Sequence, residues 1–289
     1  MTLDLDMRQR AMLAEMGVRL WAPQPKAPAA VSEEAPSDQA VAPTPSAAPA
    51  PPARARIAPP AGDLAPSSRP AGVEAMDWDA LQAAVAGCRA CGLCAGRTQA
   101  VFGVGSRTAG WMVVGEAPGE TEDRLGEPFV GAAGKLLDNM LAAIGLSRQA
   151  GDTIESIADG ADSTGASGPN GLKRGVYIAN VIKCRPPGNR NPLPEEVAQC
   201  EPYLRRQVAL VRPRIILALG RFAVQSLLNT TEPIGRLRGR VHQYQGVPVI
   251  VSYHPAYLLR ALPEKAKAWQ DLCLALATAQ QGADAAAAP

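Results

Sequence analysis

The chain is poor in the features that would place it in a membrane or outside a cell. No apolar run reaches the ~18 residues that a membrane span needs. The N-terminus, MTLDLDMRQR, is acidic first and lacks the apolar core of a secretion signal. A cytoplasmic protein is therefore expected. Six Cys among 289 residues are too few for a disulfide scaffold and suit a metal or cluster site instead. Aromatics are only 4% of the chain, against 27 Gly and 27 Pro, so ordinary globular composition does not extend over the whole length. Hydrophobic residues at 47% still provide for a sizeable core.

The small net charge of +2 hides an asymmetry. Residues 1–80 hold 7 Lys/Arg against 10 Asp/Glu, and the remainder 22 against 17. Within 201–260 there are nine Arg and only two acids, Glu201 and Glu232. This local excess points to an anionic partner, nucleic acid first.

Composition divides the chain into zones. Residues 1–21 suit a short amphipathic helix through Leu5, Met12, Leu13, Met16 and Leu20. Residues 22–75 read as a disordered Pro/Ala-rich linker, with 13 of the 27 Pro between 22 and 70. A folded domain is expected over 76–282, and a disordered tail over 283–289. Inside the domain four near-continuous apolar runs read as strands buried on both faces: Trp111–Val114, Val176–Val181, Ile215–Leu219 and Val247–Ser252. Helical patterns at 132–145, 194–211, 220–228 and 263–281 alternate with them. The expected fold is a three-layer α/β/α arrangement on a four-stranded parallel sheet. Residues 147–174, rich in Gly, Ser and Asp, read as a long insertion loop.

Cys88 and Cys91 form a C-x2-C pair, and Cys184 and Cys200 a second pair. Four thiolates of this kind suit zinc or an iron–sulfur cluster. Cys94 extends the first stretch to C-x2-C-x2-C, but position 98, where a ferredoxin run needs its fourth Cys, is Thr. Cys273 reads as an idle thiol on an apolar helix face.

In parallel sheets ligands bind beyond the carboxyl ends of the strands, and the unusual residues of this chain stand there. Glu116 and Ala117 follow the first strand, where burial can tune a carboxylate. Phe129 lies in a Gly-flanked turn and could stack on a base. Asn180 follows the second strand and offers one donor and one acceptor, matching a pyrimidine edge. His254 follows the fourth, where an imidazole can stabilise a developing anion. Leu258 and Leu259 beside Arg260 suggest an apolar wedge with a phosphate contact, and Arg238 is a further candidate DNA contact. His242 reads as structural. Lys183 points by alternation away from the neighbours of Asn180. The glycines around Val104 precede a strand and do not make a dinucleotide site, and Gly134-Lys135 lacks P-loop spacing.

Taken together, the sequence resembles the family 4 uracil-DNA glycosylases, the iron–sulfur type of the uracil-DNA glycosylase superfamily. The likeness covers about 82–280 and rests on C-x2-C at 88–91, GEAPGE at 115–120, PFVG at 128–131, NVIKCRPPGNRNP at 180–192, Cys200, and YHPAYLLR at 253–260. The resemblance implies a [4Fe–4S] cluster on Cys88, Cys91, Cys184 and Cys200, and excision of uracil from single-stranded and duplex DNA. It implies that Glu116 assists water attack or steadies the sugar cation, with Ala117 beside it in the pocket. Phe129 would stack on uracil, Asn180 would read its polar edge, His254 would face its O2, and Glu122 matches another acid of the pocket. A monofunctional, monomeric enzyme that leaves an abasic site is expected, with a structural cluster. The alternative is a relative that binds uracil-DNA, covalently through a His in the basic stretch Arg236–His242 or without catalysis. The extra N-terminal residues, the 147–174 insertion and Cys94 depart from the family pattern. The N-terminal segment could recruit an unknown protein.

Overall fold

The protein was described from a computed structural model, which covers residues 69–149 and 175–287. The helix expected at 1–21, most of the linker and most of the 147–174 insertion lie outside these residues. The four apolar runs form the centre of a six-stranded sheet. Its strands are β1 (Val104–Gly105), β2 (Trp111–Gly115), β3 (Val176–Asn180), β4 (Ile215–Leu219), β5 (Val241–Tyr244) and β6 (Val247–Ser252), in the spatial order β1-β3-β2-β4-β6-β5. The inner four are parallel, with Val113 opposite Ile178 on one side and Leu217 on the other.

Two short edge strands extend the expected parallel sheet of four, β1 and β5 pairing antiparallel to β3 and β6. Strand β5 joins β6 through Gln245 and Gly246, both at positive φ as a tight two-residue hairpin turn requires. At the other edge, a Cβ on Gly105 would collide with the Val176 carbonyl, so glycine there lets two backbones meet.

Alternation along the strands divides the core into two layers. Val113, Ile178, Leu217 and Ile250 face helices α3 (Ala132–Ala143) and α8 (Lys265–Ala287), through Leu137, Met140 and Leu272. Met112, Ala179, Ile216 and Val251 face α4 (Pro194–Val211) and α5 (Arg221–Leu228), through Leu204, Val208 and Val224. Helices α1 (Trp78–Ala86) and α2 (Glu120–Leu125) and the one-turn α6 (Ile234–Leu237) and α7 (Pro255–Leu258) complete the set. A smaller cluster packs Leu81 and Val85 of α1 on Tyr203 of α4.

Two boundaries move. Val73 is buried in this small cluster, and the Arg69 guanidinium donates to the Gln199 carbonyl, so packed structure starts before residue 76. Helix α8 runs to Ala287 through an Ala-rich stretch of high helix propensity, where a disordered tail was expected.

Candidate active site and cysteine cavity

Each parallel strand ends by delivering one polar residue to a single open cleft. Glu116 and Ala117 follow β2, Asn180 closes β3, Arg221 follows β4 and His254 follows β6, and all five line it. Phe129 and Glu122 line the same cleft. Order β3-β2-β4-β6 means that the chain leaves β2 to one side and returns on the other, which opens a crevice at the strand ends.

Phe129 is held in an unfavourable backbone shape, with φ 56°. Glu122, at the third position of α2, fixes it. Its Oε1 accepts from the Val130 and Gly131 N–H groups at 3.0 and 3.1 Å, and its Oε2 from Gly119 N–H at 3.2 Å. Any side chain at Gly134 would strike the Phe129 carbonyl, so the start of α3 is cut back to admit the turn. The Glu122 carboxylate is thus committed to backbone, and it holds the aromatic where a second substrate acid had been expected. The Phe129 ring stacks on His254 with centroids 5.4 Å apart.

Asn180 is 2% exposed, and its Oδ1 is buried without a partner. A Cβ on Gly115 would lie 2.5 Å from this oxygen and from the Phe129 ring, so a glycine is the condition for both groups to share one slot. His254 caps α7, its Nδ1 accepting from Ala256 N–H at 3.2 Å. The neutral ring therefore carries its proton on Nε2. Burial lowers the His254 pKa to about 4, against the opposing charge of Glu122, so the ring is neutral at physiological pH. Burial raises Glu116 to about 7, partly offset by the Arg221 guanidinium.

Other candidates are placed differently. Leu259 and Arg260 stand on the rim, with Leu259 42% exposed, but Leu258 points into the core. Arg238 is engaged inward: its Nε and Nη2 donate to Asp271 at 2.7 and 2.9 Å, Nη2 also reaches the Lys267 carbonyl, and the guanidinium covers the Tyr253 ring. Ser252 completes the pair by donating to Asp271 at 2.7 Å. Arg238 is therefore a brace between the segment joining α6 to β5 and helix α8, since the desolvated carboxylate takes the donors that a phosphate would need. His242 sits on the edge strand β5 with Nε2 at 2.8 Å from the Leu237 carbonyl. Arg221 and Tyr253 were not anticipated from sequence; their position after apolar runs was the available signal.

Behind the cleft, Cys88, Cys91, Cys94, Cys184 and Cys200 line one small cavity together with Arg97, Lys183 and Tyr203. Arg97 donates to the Cys184 sulfur at 3.0 Å and to the Ala86 carbonyl at 2.6 Å, tying the end of α1 to the end of β3. Burial pushes the Cys200 thiol up to about 12 and raises Cys91 and Cys184, so these sulfurs stay protonated until a cation joins them. The Tyr203 hydroxyl is fully buried and unpaired beside them. Among the described residues no three His, Cys, Asp or Glu converge closely enough for a single metal ion. A cubane takes each thiolate on a different iron, so the spread thiols, the two cations and the orphaned hydroxyl fit such a group. Cys273, by contrast, is exposed, one position outward from buried Leu272.

Lys183 spans the wall between the two sites. Its Nζ donates to the Asn180 carbonyl at 2.8 Å and to Gln207 Oε1 at 2.6 Å, and burial lowers its pKa to about 7. It lines the cysteine cavity, and the cleft is lined without it. Among the described residues no helix is long and apolar enough to cross a membrane.

A family model described as "Uracil DNA glycosylase superfamily" matches residues 102–273, which include the whole cleft. The type-4 uracil-DNA glycosylase of Archaeoglobus fulgidus is 45% identical over 180 residues, 60% of this chain and 78% of that protein. That of Pyrobaculum aerophilum is 38% identical over 207 residues, 69% of this chain and 93% of its own length. The Thermotoga maritima protein of the same name is 38% identical over 175 residues, with 60% and 78% coverage. With the cleft at the strand ends and matches of this length, the chain belongs to the uracil-DNA glycosylase superfamily and groups with its type-4 members.

Proposed function

We propose that the cleft hydrolyses the N-glycosidic bond of deoxyuridine in DNA, in single strands and duplexes, and leaves an abasic site for repair. One observation carries the reading: Asn180 Oδ1 is buried without a partner in a slot walled by Gly115 and Phe129. An orphaned acceptor costs free energy that a ligand donor can recover. Uracil N3–H supplies this donor, and the Asn180 amide N–H donates in turn to O4. Cytosine offers the reverse pattern and would leave both groups unpaired.

The base must leave the stack to reach this slot. Leu259 on the rim can fill the gap it leaves, with Arg260 against phosphate. Bond cleavage puts positive charge on the sugar and negative charge on the base. His254 Nε2–H donates to uracil O2 as that charge develops, and no proton need move beforehand because the ring is already neutral. Glu116, as carboxylate, faces the sugar and polarises the attacking water. Each such group is typically worth ~10²–10³ in rate. A monofunctional route without a Schiff base accords with Lys183, whose Nζ is held by the Asn180 carbonyl and Gln207 Oε1.

Cys88, Cys91, Cys184 and Cys200 would hold a [4Fe–4S] cluster. When bound, that group supplies a cross-link between the end of α1, β3 and α4, and fixes the loop bearing Pro186, Asn189, Arg190 and Asn191 at the cleft.

The test is a single-turnover assay on a labelled single-stranded oligonucleotide with one deoxyuridine, with and without alkali. Scission only after alkali is expected. A heat-stable protein–DNA adduct without scission would point to covalent capture. Neither product from iron-loaded protein would leave a DNA-binding module.

A further inference from the structure

The cysteine cavity holds one more thiol than four ligand positions require. Cys184 and Cys200 are buried and fixed, one just beyond β3 and the other within α4. The other three lie close together on the short stretch after α1, each half-buried. Cys91 begins a 3₁₀ turn over Gly92–Ala95, and Cys94 N–H donates to the Cys91 carbonyl at 3.3 Å. Residues three apart in such a turn project on the same side. Cys94 accordingly lines the same cavity, one turn on from Cys91. Cys88 is placed differently, packed with Val85 and Tyr203 where α1 meets α4.

Polar groups already support three of the five sulfurs. The Cys184 sulfur accepts from Arg97, Cys91 from the Leu93 backbone N–H, and Cys200 from that of Lys183. The buried, unpaired Tyr203 hydroxyl in the cavity wall marks space for a ligand independently of the thiol count.

We propose that Cys94 is a reserve iron ligand: it stays uncoordinated while Cys91 is in place and takes the same iron when Cys91 is lost. The inference rests on the cluster reading above. The exchange needs no oxidant. Cys94 gives its proton to water as its iron–sulfur bond forms, and the water that filled the vacated position leaves.

The test uses the full chain purified without oxygen, as wild type, Cys88→Ala, Cys91→Ala, Cys94→Ala and Cys91→Ala/Cys94→Ala. Iron, acid-labile sulfide and visible absorption are read, and free thiols are alkylated and mapped by peptide. Wild type and Cys94→Ala are expected to carry equal iron. Cys91→Ala keeps most of it, while Cys88→Ala and the double variant lose it. Cys94 is alkylated in wild type and becomes protected in Cys91→Ala. Loss of iron from Cys91→Ala, or iron retained there with Cys94 still alkylated, overturns the proposal. Protection of Cys94 with Cys91 alkylated in wild type also overturns it, by reversing the roles. Iron-free wild-type protein would fail the cluster reading itself, and this inference with it.

Discussion

Replacing Glu116 by Gln should make the protein more stable as it removes catalysis, and the gain should depend on pH. Burial holds the Glu116 carboxyl protonated up to about 7, against an ordinary value of 4.5. A raised folded-state pKa contributes stability that is fully present below 4.5 and is lost as pH rises to about 7, because the unfolded chain ionises first. Gln cannot ionise and escapes this loss. At about 1.4 kcal/mol per pH unit, the full shift corresponds to about 3 kcal/mol, and water in the open cleft reduces it to about 2. For a domain of this size that corresponds to a Tm gain of roughly 4–8 °C at pH 8, shrinking towards zero near pH 4.5. Thermal unfolding of both proteins at pH 5, 6.5 and 8, with cluster content matched, measures the difference. A gain of equal size at every pH would mean that packing and not ionisation had changed. No gain at pH 8 would refute the desolvated carboxyl altogether.

The same group sets the activity profile: single-turnover rates should fall about tenfold per pH unit below about 7, with slope one down to pH 5, because His254 remains neutral to about 4. A steeper or second limb in that range would count against His254 as a neutral donor. Gly115→Ala should cut uracil excision by at least ~10²-fold with little effect on binding to undamaged DNA, since its methyl would meet Asn180 and Phe129; near-native rates would show the slot to be wider. Arg238→Ala should destabilise the domain by about 3–5 kcal/mol in chemical denaturation by stranding the Asp271 charge. DNA affinity measured below the transition should hardly change, and a large affinity loss with intact stability would restore Arg238 to the DNA surface. His254→Ala should lower the single-turnover rate by ~10²–10³-fold and, by removing the α7 cap, cost about 1 kcal/mol of stability, and a native rate would remove it from the chemistry.

The central strands were legible because residues on both faces, Val113 and Ile178 towards α3 and α8, Met112 and Ile216 towards α4 and α5, are buried and write continuous apolar runs. The edges were not. Strand β1 is two residues long, and β5 alternates exposed Val241 and Gln243 with half-buried His242 and Tyr244, so neither leaves an apolar signature. Polar residues following the apolar runs, Glu116, Asn180 and His254, stood out because the topology sends strand ends to one cleft. What failed was the direction of single side chains. Leu258 and Leu259 are neighbours on one helical turn, and only the packing decides which faces inward. Arg238 shows the same limit, because a positive charge in sequence does not reveal whether a carboxylate such as Asp271 already holds it. Arg97 and Tyr203 meet the sulfurs only through contacts across 87 residues and between helices, which no local pattern encodes.

Strand β3 ends in a short lever. Asn180 and Cys184 are four residues apart, and Lys183 grips the Asn180 carbonyl from within the same segment. A displacement of a few tenths of an ångström at the sulfur would be passed to the amide, where hydrogen-bond geometry decides which base is accepted. On the proposed function, a disturbance at the Cys184 sulfur therefore reaches base discrimination through four residues of backbone and one hydrogen bond, without any helix having to move.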